Sequence, residues 1–369
     1  MNVEVRPQRF AAAPATPGIA DCDIHPALRS PSDLDTWLEP RWREYAAQYG
    51  ILRRLGMHKG PAYPKNQPDA SRRDAYPPEG GRQGSSPSFM ASHHLDAHNV
   101  TLGILNPLLS GQGVMNPDFS AALCRAVNHW QEEAWLAADR RLRASIVVPY
   151  EFADAAAAEI AFWAARNPEF VQVLLLSRTA EPLGNRRYWP IYEAAAEAGL
   201  PVAVHAFGYG GNPITSTGWP SYYIEEMAGH AQSCQAGLAS MVVEGIFERF
   251  PTLRTVMVEA GFAWAPPLAW RLDKAWSTLR AETPHLKRLP SEYLREHVWW
   301  TSQPMEEPEP RAHLLDTIQW MGWDRLLFAT DYPHWDFDDP AHALPLKIGE
   351  AERRGFFSGN AHALYGVAA

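Results

Sequence analysis

The sequence lacks several features that mark large classes of protein. It contains no run of about 18 apolar residues, which a membrane-spanning helix needs, and its first ten residues do not follow the charged-then-apolar order of a secretory signal. Its three cysteines (Cys22, Cys124 and Cys234) are far apart and odd in number, which argues against a disulfide scaffold and favours a reducing cytoplasm. Basic charge is also scarce, because 33 lysines and arginines face 42 aspartates and glutamates. We therefore expect a cytoplasmic protein that binds a small molecule, with no nucleic acid or membrane as partner.

Short motifs for nucleotides and for structural zinc are missing too. No Gly-x-Gly-x-x-Gly turn follows an apolar run, and no Gly-x-x-x-x-Gly-Lys-Ser/Thr loop occurs. No Cys-x-x-Cys pair is available to hold a structural zinc ion. These absences argue against the nucleotide-binding folds of the α/β class.

What the sequence does contain is a regular alternation of short apolar runs and longer helical patterns. Continuous apolar strands separated by helices are typical of parallel sheets buried on both faces. Eight repeats favour a closed (β/α)8 TIM barrel over an open, doubly wound sheet. The predicted strands are 18–25, 100–107, 144–150, 170–177, 201–207, 254–261, 298–304 and 325–334. The predicted helices between and after them are 121–142, 153–166, 189–198, 225–250, 265–280, 311–321 and 340–354.

One long segment interrupts this alternation. Residues 26–99 separate the first two strands and are rich in proline, glycine, serine and arginine, with a helical pattern over 32–55. Loops of this length at the mouth of a barrel often form lids or substrate walls, and a disordered solvent loop is the alternative. We therefore predict an N-terminal arm (1–18) and a single barrel domain (19–369) that includes a 26–99 insertion.

Residues with metal-binding side chains lie at the predicted carboxyl ends of the strands, which converge on one mouth in a barrel. They are Asp23, His25, His205, Glu259 and Asp331, with His334 just beyond. Asp23 and His25 are two residues apart, so both side chains point the same way from a strand. Asp331 follows an apolar strand, where an unpaired charge is costly. Taken singly, each is explained by a hydrogen-bonded core histidine or a helix-capping aspartate, but together they favour a nitrogen- and oxygen-ligated divalent ion.

Several segments resemble the amidohydrolase superfamily, in the branch that includes aminocarboxymuconate-semialdehyde decarboxylase and γ-resorcylate decarboxylase. The similar segments are 21–25 (DCDIH), 204–205 (VH), 245–251 (GIFERFP), 253–261 (LRTVMVEAG), 270–273 (WRLD) and 328–334 (FATDYPH). The resemblance implies one divalent ion, zinc first, with manganese or iron(II) as alternatives. Its ligands would be Asp23, His25, His205 and Asp331. It also suggests a homodimer.

The function implied is a metal-dependent hydrolase or non-oxidative decarboxylase of a small aromatic-derived or cyclic carboxylic acid, with Asp331 as general acid/base. A hydratase or a hydrolase of carbon–carbon or ester bonds remains an alternative, as does a non-catalytic binding barrel. The chain departs from the decarboxylases at strand six, where Glu259 replaces a catalytic histidine. Glu259 would ligate the metal, act as a general acid with a raised pKa, or serve as a structural anchor bonded to Arg178 or Arg271. His230 or His334 would then supply the missing imidazole.

An anionic substrate also needs a cationic partner. The candidates are Arg53 and Arg54 in the insertion, His93, His94 and His98 before strand two, and Arg178 after strand four. The Arg53–Arg54 pair also fits a solvated helix face. Trp264 and Trp335 are the tryptophans that we expect to wall an aromatic-lined pocket.

Overall fold

A computed structural model of the chain describes residues 18–49, 70–108, 111–208, 213–215 and 217–368. Eight parallel strands follow one another around a single sheet in the order of the chain. They are β1 (Ile19–Ile24), β2 (Val100–Leu105), β3 (Leu142–Val147), β4 (Phe170–Leu176), β5 (Val202–His205), β6 (Thr255–Val258), β7 (Val298–Thr301) and β8 (Leu326–Leu327). The predicted (β/α)8 barrel is confirmed.

The barrel closes where the chain beyond β8 meets β1. Cys22 donates its backbone N–H to the carbonyl of Phe328 at 2.9 Å, and His25 donates to the carbonyl of Tyr332 at 2.8 Å. β8 itself has two residues, although the apolar pattern predicts a strand over 325–334. Most of the seam is therefore irregular chain, and this irregular part carries the predicted metal-binding motif.

Helices cover the outside of the barrel. They are α1 (Pro40–Tyr49), α2 (Pro87–Met90), α3 (Pro117–Trp130), α4 (Ala153–Arg166), α5 (Trp189–Glu197), α6 (Tyr223–Val243), α7 (Ile246–Arg249), α8 (Ala265–Leu279), α9 (Pro290–His297), α10 (Ala312–Met321), α11 (Glu350–Arg354) and α12 (Asn360–Tyr365). Among the described residues, no helix has the length and apolar character that crossing a membrane requires.

Three helical predictions differ from the structure. The helix predicted over 121–142 is too long, since the helical turns end at Leu136 and Leu142 already begins β3. The pattern over 340–354 predicts one helix, but only its end, α11, is helical; Pro345 lacks the N–H that a continuous helix needs there. The pattern over 225–250 predicts one helix as well, and the chain instead breaks it into α6 and α7 at Gly245, whose φ is 82°. Glycine adopts this left-handed conformation without steric cost.

The barrel interior is built from apolar strand residues around a small polar core. All seven residues of β4 are buried. Among them, Gln172 donates to Asn106 at 3.0 Å and to the hydroxyl of Ser145 at 2.9 Å, and it accepts from the hydroxyl of Tyr365 at 2.9 Å. Because these buried polar groups satisfy one another, they do not destabilise the interior.

The returning half of the 26–99 insertion lies on the chain that leaves β8. Ser71 pairs with His334 in an antiparallel bridge, and Arg72 donates its backbone N–H to Pro333 at 2.9 Å. After α2 the insertion continues as π-helical turns over Ala91–Asp96 into β2. Arg53 and Arg54 lie outside the described residues, as does nearly all of the 1–18 arm. The lid role of the insertion and the domain boundaries remain predictions.

Candidate metal centre

Predicted site residues from four strands meet at the carboxyl-terminal mouth of the barrel. Their ligand atoms form three overlapping groups, each with all atoms within 4.8 Å of one another. The groups are Asp23 with His25 and His205, His25 with Asp331 and His334, and Asp23 with Glu259 and Asp331. Each of the four predicted ligands, Asp23, His25, His205 and Asp331, therefore shares a group with at least one other predicted ligand, and Asp23 and His25 connect His205 to Asp331.

The distances within this cluster are short. The Nε2 atom of His25 lies 3.2 Å from Oδ1 of Asp23 and 2.8 Å from Oδ1 of Asp331. The Nε2 atom of His205 lies 3.4 Å from Oδ2 of Asp23 and 3.4 Å from Oε2 of Glu259. Both imidazoles thus present the same nitrogen to the carboxylates.

The opposite nitrogens of the two histidines fix their orientation. Nδ1 of His25 lies 2.7 Å from the carbonyl oxygen of Asn106, and Nδ1 of His205 lies 2.5 Å from that of Ala206. A carbonyl oxygen only accepts, so each Nδ1 carries the hydrogen and donates it. In the neutral ring this leaves the lone pair of Nε2 facing the cluster, which is the arrangement of a metal-binding histidine.

Three buried atoms at the centre make no hydrogen bond within the described residues. They are Oδ2 of Asp23, Nε2 of His25 and Nε2 of His205. Buried polar atoms without partners are costly, and three that converge on one point are satisfied together by a cation. The set of imidazole nitrogens and carboxylate oxygens therefore fits a divalent metal ion.

The charges of the cluster also favour a cation at this point. Burial by itself would raise the pKa of Asp23, but the imidazoles of His25 and His205 hold it below its ordinary value. Burial would lower the pKa of His25, yet the carboxylates of Asp23 and Asp331 raise it well above its ordinary range. The two carboxylates thus favour positive charge at this point, whether a proton or a metal ion provides it.

Glu259 differs from these two carboxylates. Burial, and then the charges of Asp331, Asp336 and Asp23, raise its pKa well above the ordinary value. Its ion pair in the structure is with His205 at 3.4 Å, and Arg271 is exposed on α8. The ion pair of Glu259 with His205 therefore lies at the centre.

The backbone at two of the carboxylates is unusual. Glu259 has a φ of 51° and Asp331 a φ of 64°, a left-handed conformation that non-glycine residues rarely adopt. Asp331 donates its backbone N–H to the carbonyl of Asp23 at 3.1 Å, and Glu259 donates its own to the hydroxyl of Thr301 at 3.1 Å. These bonds hold both side chains toward the mouth.

His334 lies at the outer edge of the cluster. Its Nδ1 lies 2.6 Å from Oδ1 of Asp331, and its ring stacks on that of His25 with centroids 4.4 Å apart. Its side chain is 20% exposed, whereas that of Asp331 is fully buried. His334 therefore connects a buried carboxylate to the mouth.

His230 and Tyr223 lie on the face of α6 that turns toward the mouth. Tyr223 accepts a hydrogen bond from the indole N–H of Trp335 at 3.2 Å. Three residues after His230, the hydroxyl of Ser233 lies 2.8 Å from that of Ser177 at the end of β4. Residues seven and three apart share a helix face, so His230 lies between these two contacts. It belongs to none of the metal-binding groups of the described residues.

Three of the predicted substrate-binding residues, Arg178, Trp264 and Trp335, lie in the segments that follow β4, β6 and β8, whereas Arg53 and Arg54 lie outside the described residues. Arg178 follows β4 and is partly buried, and burial lowers the pKa of its guanidinium. Trp264 donates its indole N–H to the carbonyl of Ala260 at 2.9 Å and contacts Trp300 edge to face. Trp335 is fixed by its bond to Tyr223. Their contact with a substrate remains a prediction.

Sequence reasoning missed three residues here, namely Asp21, Tyr223 and Asp336. Asp21 begins the 21–25 segment (DCDIH). Its spacing of two from Asp23 indicates that both side chains lie on the same face of β1. Asp336 accepts from Gln303 at 3.1 Å, and burial together with the charge of Asp331 raises its pKa to about 8. For Tyr223 no sequence signal exists, because its place depends on how α6 enters the mouth.

An eight-stranded barrel with histidines and carboxylates gathered at its carboxyl-terminal mouth is the arrangement of a barrel enzyme. The family model for amidohydrolases matches residues 20–367, and the chain belongs to the amidohydrolase family. Membership confirms the resemblance seen in the motifs and the expectation of an enzyme.

Individual relatives are more distant. A γ-resorcylate decarboxylase from a Polaromonas species is 28% identical over 205 residues, which cover 51% of this chain and 58% of that protein. Another from Rhodococcus jostii is 25% identical over 298 residues, covering 73% of this chain and 85% of that protein. A crystal structure of a Polaromonas dihydroxybenzoic acid decarboxylase, with bound manganese and the inhibitor 2-nitroresorcinol, has a TM-score of 0.63 at 20% identity and covers 95% of this chain and 97% of that one. That structural likeness shows the shared fold.

Proposed function

We propose that this chain is a metal-dependent, non-oxidative decarboxylase of small aromatic carboxylic acids. The observation that carries the proposal is the convergence of Oδ2 of Asp23 with Nε2 of His25 and of His205, all buried and without hydrogen bonds in the described part of the chain. The relation to γ-resorcylate decarboxylases supports the reaction.

Asp23, His25, His205 and Asp331 would hold the metal ion. The manganese in the Polaromonas decarboxylase structure supports manganese, with zinc and iron(II) as alternatives for the same ligand types. When bound, the ion supplies positive charge that holds the substrate carboxylate and an adjacent oxygen.

Decarboxylation breaks the bond between a ring carbon and the carboxylate. Carbon dioxide leaves, the electron pair stays on the ring carbon, and that carbon takes up one proton. Asp331 is the proposed general acid/base that moves this proton. The 2.6 Å contact of Asp331 with His334, which reaches solvent, gives a route by which the proton is replaced.

Glu259 is the second proposed proton donor. Burial, and then the neighbouring carboxylates, raise its pKa well above the ordinary value. A raised pKa favours the protonated carboxyl group, which suits Glu259 to supply a proton where the resemblance implies a histidine. A neutral carboxyl group also adds no repulsion toward an anionic substrate.

The mouth has groups suited to an aromatic acid. Arg178 is the proposed partner of its negative charge. Trp264 and Trp335 are the proposed flat walls for its ring, and His230 faces the same space from α6.

Hydrolysis is the second candidate. The difference at strand six favours hydrolysis, since Glu259 stands where the decarboxylases have a histidine. Asp331, at the proposed metal site, is also suited to general-base catalysis. The test must therefore offer substrates for both reactions.

The experiment measures carbon dioxide release and phenol formation from γ-resorcylate and related hydroxybenzoates. The protein is stripped with a chelator and then reloaded with Mn²⁺ or Zn²⁺. We expect equal amounts of carbon dioxide and decarboxylated phenol from the reloaded protein and none from the stripped protein or from Asp331→Asn. Hydrolysis of aryl esters or ring-cleavage products without any decarboxylation would replace the proposal by the second candidate. Turnover that survives metal removal would contradict both.

A further inference from the structure

A further buried carboxylate, Asp21, lies next to the metal centre and belongs to none of its metal-binding groups among the described residues. Oδ1 of Asp21 accepts from the backbone N–H of Thr330 at 2.9 Å and from that of Asp23 at 3.2 Å. Oδ2 accepts from the hydroxyl of Thr330 at 2.6 Å and from Nε2 of His94 at 2.8 Å. Asp21, Asp23, His94 and Thr330 are all 0% exposed. Each oxygen of Asp21 therefore accepts two hydrogen bonds.

These bonds reach both sides of the barrel seam. Asp23 lies on β1, and Thr330 directly precedes Asp331 in the chain that leaves β8. The two backbones also meet directly, since Asp331 donates its N–H to the carbonyl of Asp23 at 3.1 Å. The side chain of Asp21 thus fixes the spacing between two proposed metal ligands.

His94 comes from the end of the insertion and holds the same place. Its ring stacks on that of Tyr332, which follows Asp331, with centroids 4.5 Å apart and planes at 9°. Nδ1 of His94 makes no hydrogen bond among the described residues. Nε2 faces a carboxylate oxygen that accepts, so Nε2 carries a hydrogen and donates it. His94 then donates to Asp21 and packs on Tyr332.

We propose that Asp21 and His94 are positioning residues that set the spacing of Asp23 and Asp331. Replacing either residue then weakens metal binding more than it weakens folding. The inference rests on the proposed function in one respect, which is that the centre binds a divalent ion. It also corrects the expectation that His94 is a cationic partner of the substrate, since the ring is fully buried against Asp21.

Two variants of His94 separate its two contacts. His94→Gln keeps a nitrogen donor near the position of Nε2 and removes the stacking on Tyr332. His94→Phe keeps the stacking and removes the hydrogen bond to Asp21. Asp21→Asn removes the charge and turns one acceptor oxygen into a donor that faces His94 and the Thr330 hydroxyl.

A matched control exists at the opposite end of the barrel. His297 precedes β7, is buried, lies with Nδ1 2.9 Å from the carbonyl of Leu253 and stacks on Phe247 at 4.8 Å. Its Nε2 also makes no hydrogen bond in the described part of the chain. His297→Phe therefore repeats the change made in His94→Phe without touching the seam.

The measurement is the dissociation constant for Mn²⁺ alone, by calorimetry on chelator-stripped protein, with the melting temperature recorded for every variant. We expect Asp21→Asn and His94→Phe to weaken Mn²⁺ binding by about tenfold or more. Mutating residues that support the ligands of a metal site typically has an effect of this size. His94→Gln should stay within about threefold of the wild type, and His297→Phe should bind as the wild type does, even where its melting temperature falls.

The outcomes distinguish this inference from the function on which it rests. Mn²⁺ binding that is lost in His205→Asn but unchanged in both Asp21→Asn and His94→Phe would overturn the positioning role alone. Equal weakening in His94→Phe and His297→Phe would also overturn it, since a general loss of stability would then explain both. A wild-type protein that binds neither Mn²⁺ nor Zn²⁺ would overturn the proposed function itself.

Discussion

The stability gained on metal binding gives a direct test of the proposed centre through His205. His205→Asn keeps a side-chain donor for the Ala206 carbonyl, in place of Nδ1–H, and removes Nε2, the nitrogen that faces Asp23 and Glu259. The variant therefore deletes a proposed ligand atom while keeping the hydrogen bond that fixes the side chain.

The expected size of the effect follows from the length of the chain. Unfolding entropy is about 2.1 cal/mol/K per residue, so 369 residues give about 0.8 kcal/mol/K. A metal ion at about 100 times its dissociation constant adds about 2.7 kcal/mol, which raises the melting temperature by about 3–4 °C. If the variant binds about 100-fold more weakly, the same metal concentration adds about 0.4 kcal/mol, or about half a degree.

The assay is thermal unfolding of chelator-stripped protein, with and without Mn²⁺ or Zn²⁺. The control is His297→Asn, which makes the same change in a buried histidine bonded to the carbonyl of Leu253 at the far end of the barrel. We expect the control to keep the full metal-induced rise and His205→Asn to lose it. A rise of normal size in His205→Asn, or its loss in the control, would refute the assignment of His205 to the centre.

Three further predictions concern carboxylates. Asp331→Asn should abolish turnover while the near-ultraviolet circular dichroism stays that of the wild type; full activity in this folded variant would remove the proposed acid/base. Glu259→Gln should lower activity or metal occupancy by at least about tenfold if Glu259 delivers a proton or ligates the ion, and a variant with full rate and full occupancy would return Glu259 to a structural role. Glu306→Gln tests a buried carboxylate that accepts from the backbone N–H of Phe262. Burial raises the pKa of Glu306 above 4.5, so the wild type loses stability as the pH rises above that value, and the Gln variant does not. The melting temperature of Glu306→Gln relative to the wild type should therefore increase as the pH rises above 4.5. Glu309→Gln, at a side chain that is 80% exposed, is the surface control.

The barrel was predictable because its strands are local and apolar. The β4 run is buried on both faces in the structure as its continuous apolar character predicts. The spacing of two between Asp23 and His25 predicted that both side chains point the same way, and both reach the centre. These features need only the period of a strand and the convergence of strand ends.

The positioning of the site was not predictable in the same way. His94 lies 73 positions from its partner Asp21, and nothing in either local sequence indicates the pairing. The interpretation of His94 as a substrate partner was wrong because a histidine before a strand gives no sign of which buried carboxylate it will meet. The helix predicted over 340–354 failed for a different reason, since helical spacing of apolar residues does not account for a proline inside the pattern.

The left-handed backbone at Glu259 and Asp331 links the fold to the proposed chemistry. At the end of a strand the side chain can follow the ladder or turn away from it, and a φ near +60° turns it sharply. That conformation costs about 1–3 kcal/mol and persists only where the surroundings enforce it. For Asp331 the surroundings are the N–H bond to Asp23 and the bonds from Thr330 to Asp21. The seam of the barrel, which is the least regular part of the sheet, thus uses a second buried carboxylate to hold a strained residue at the metal centre.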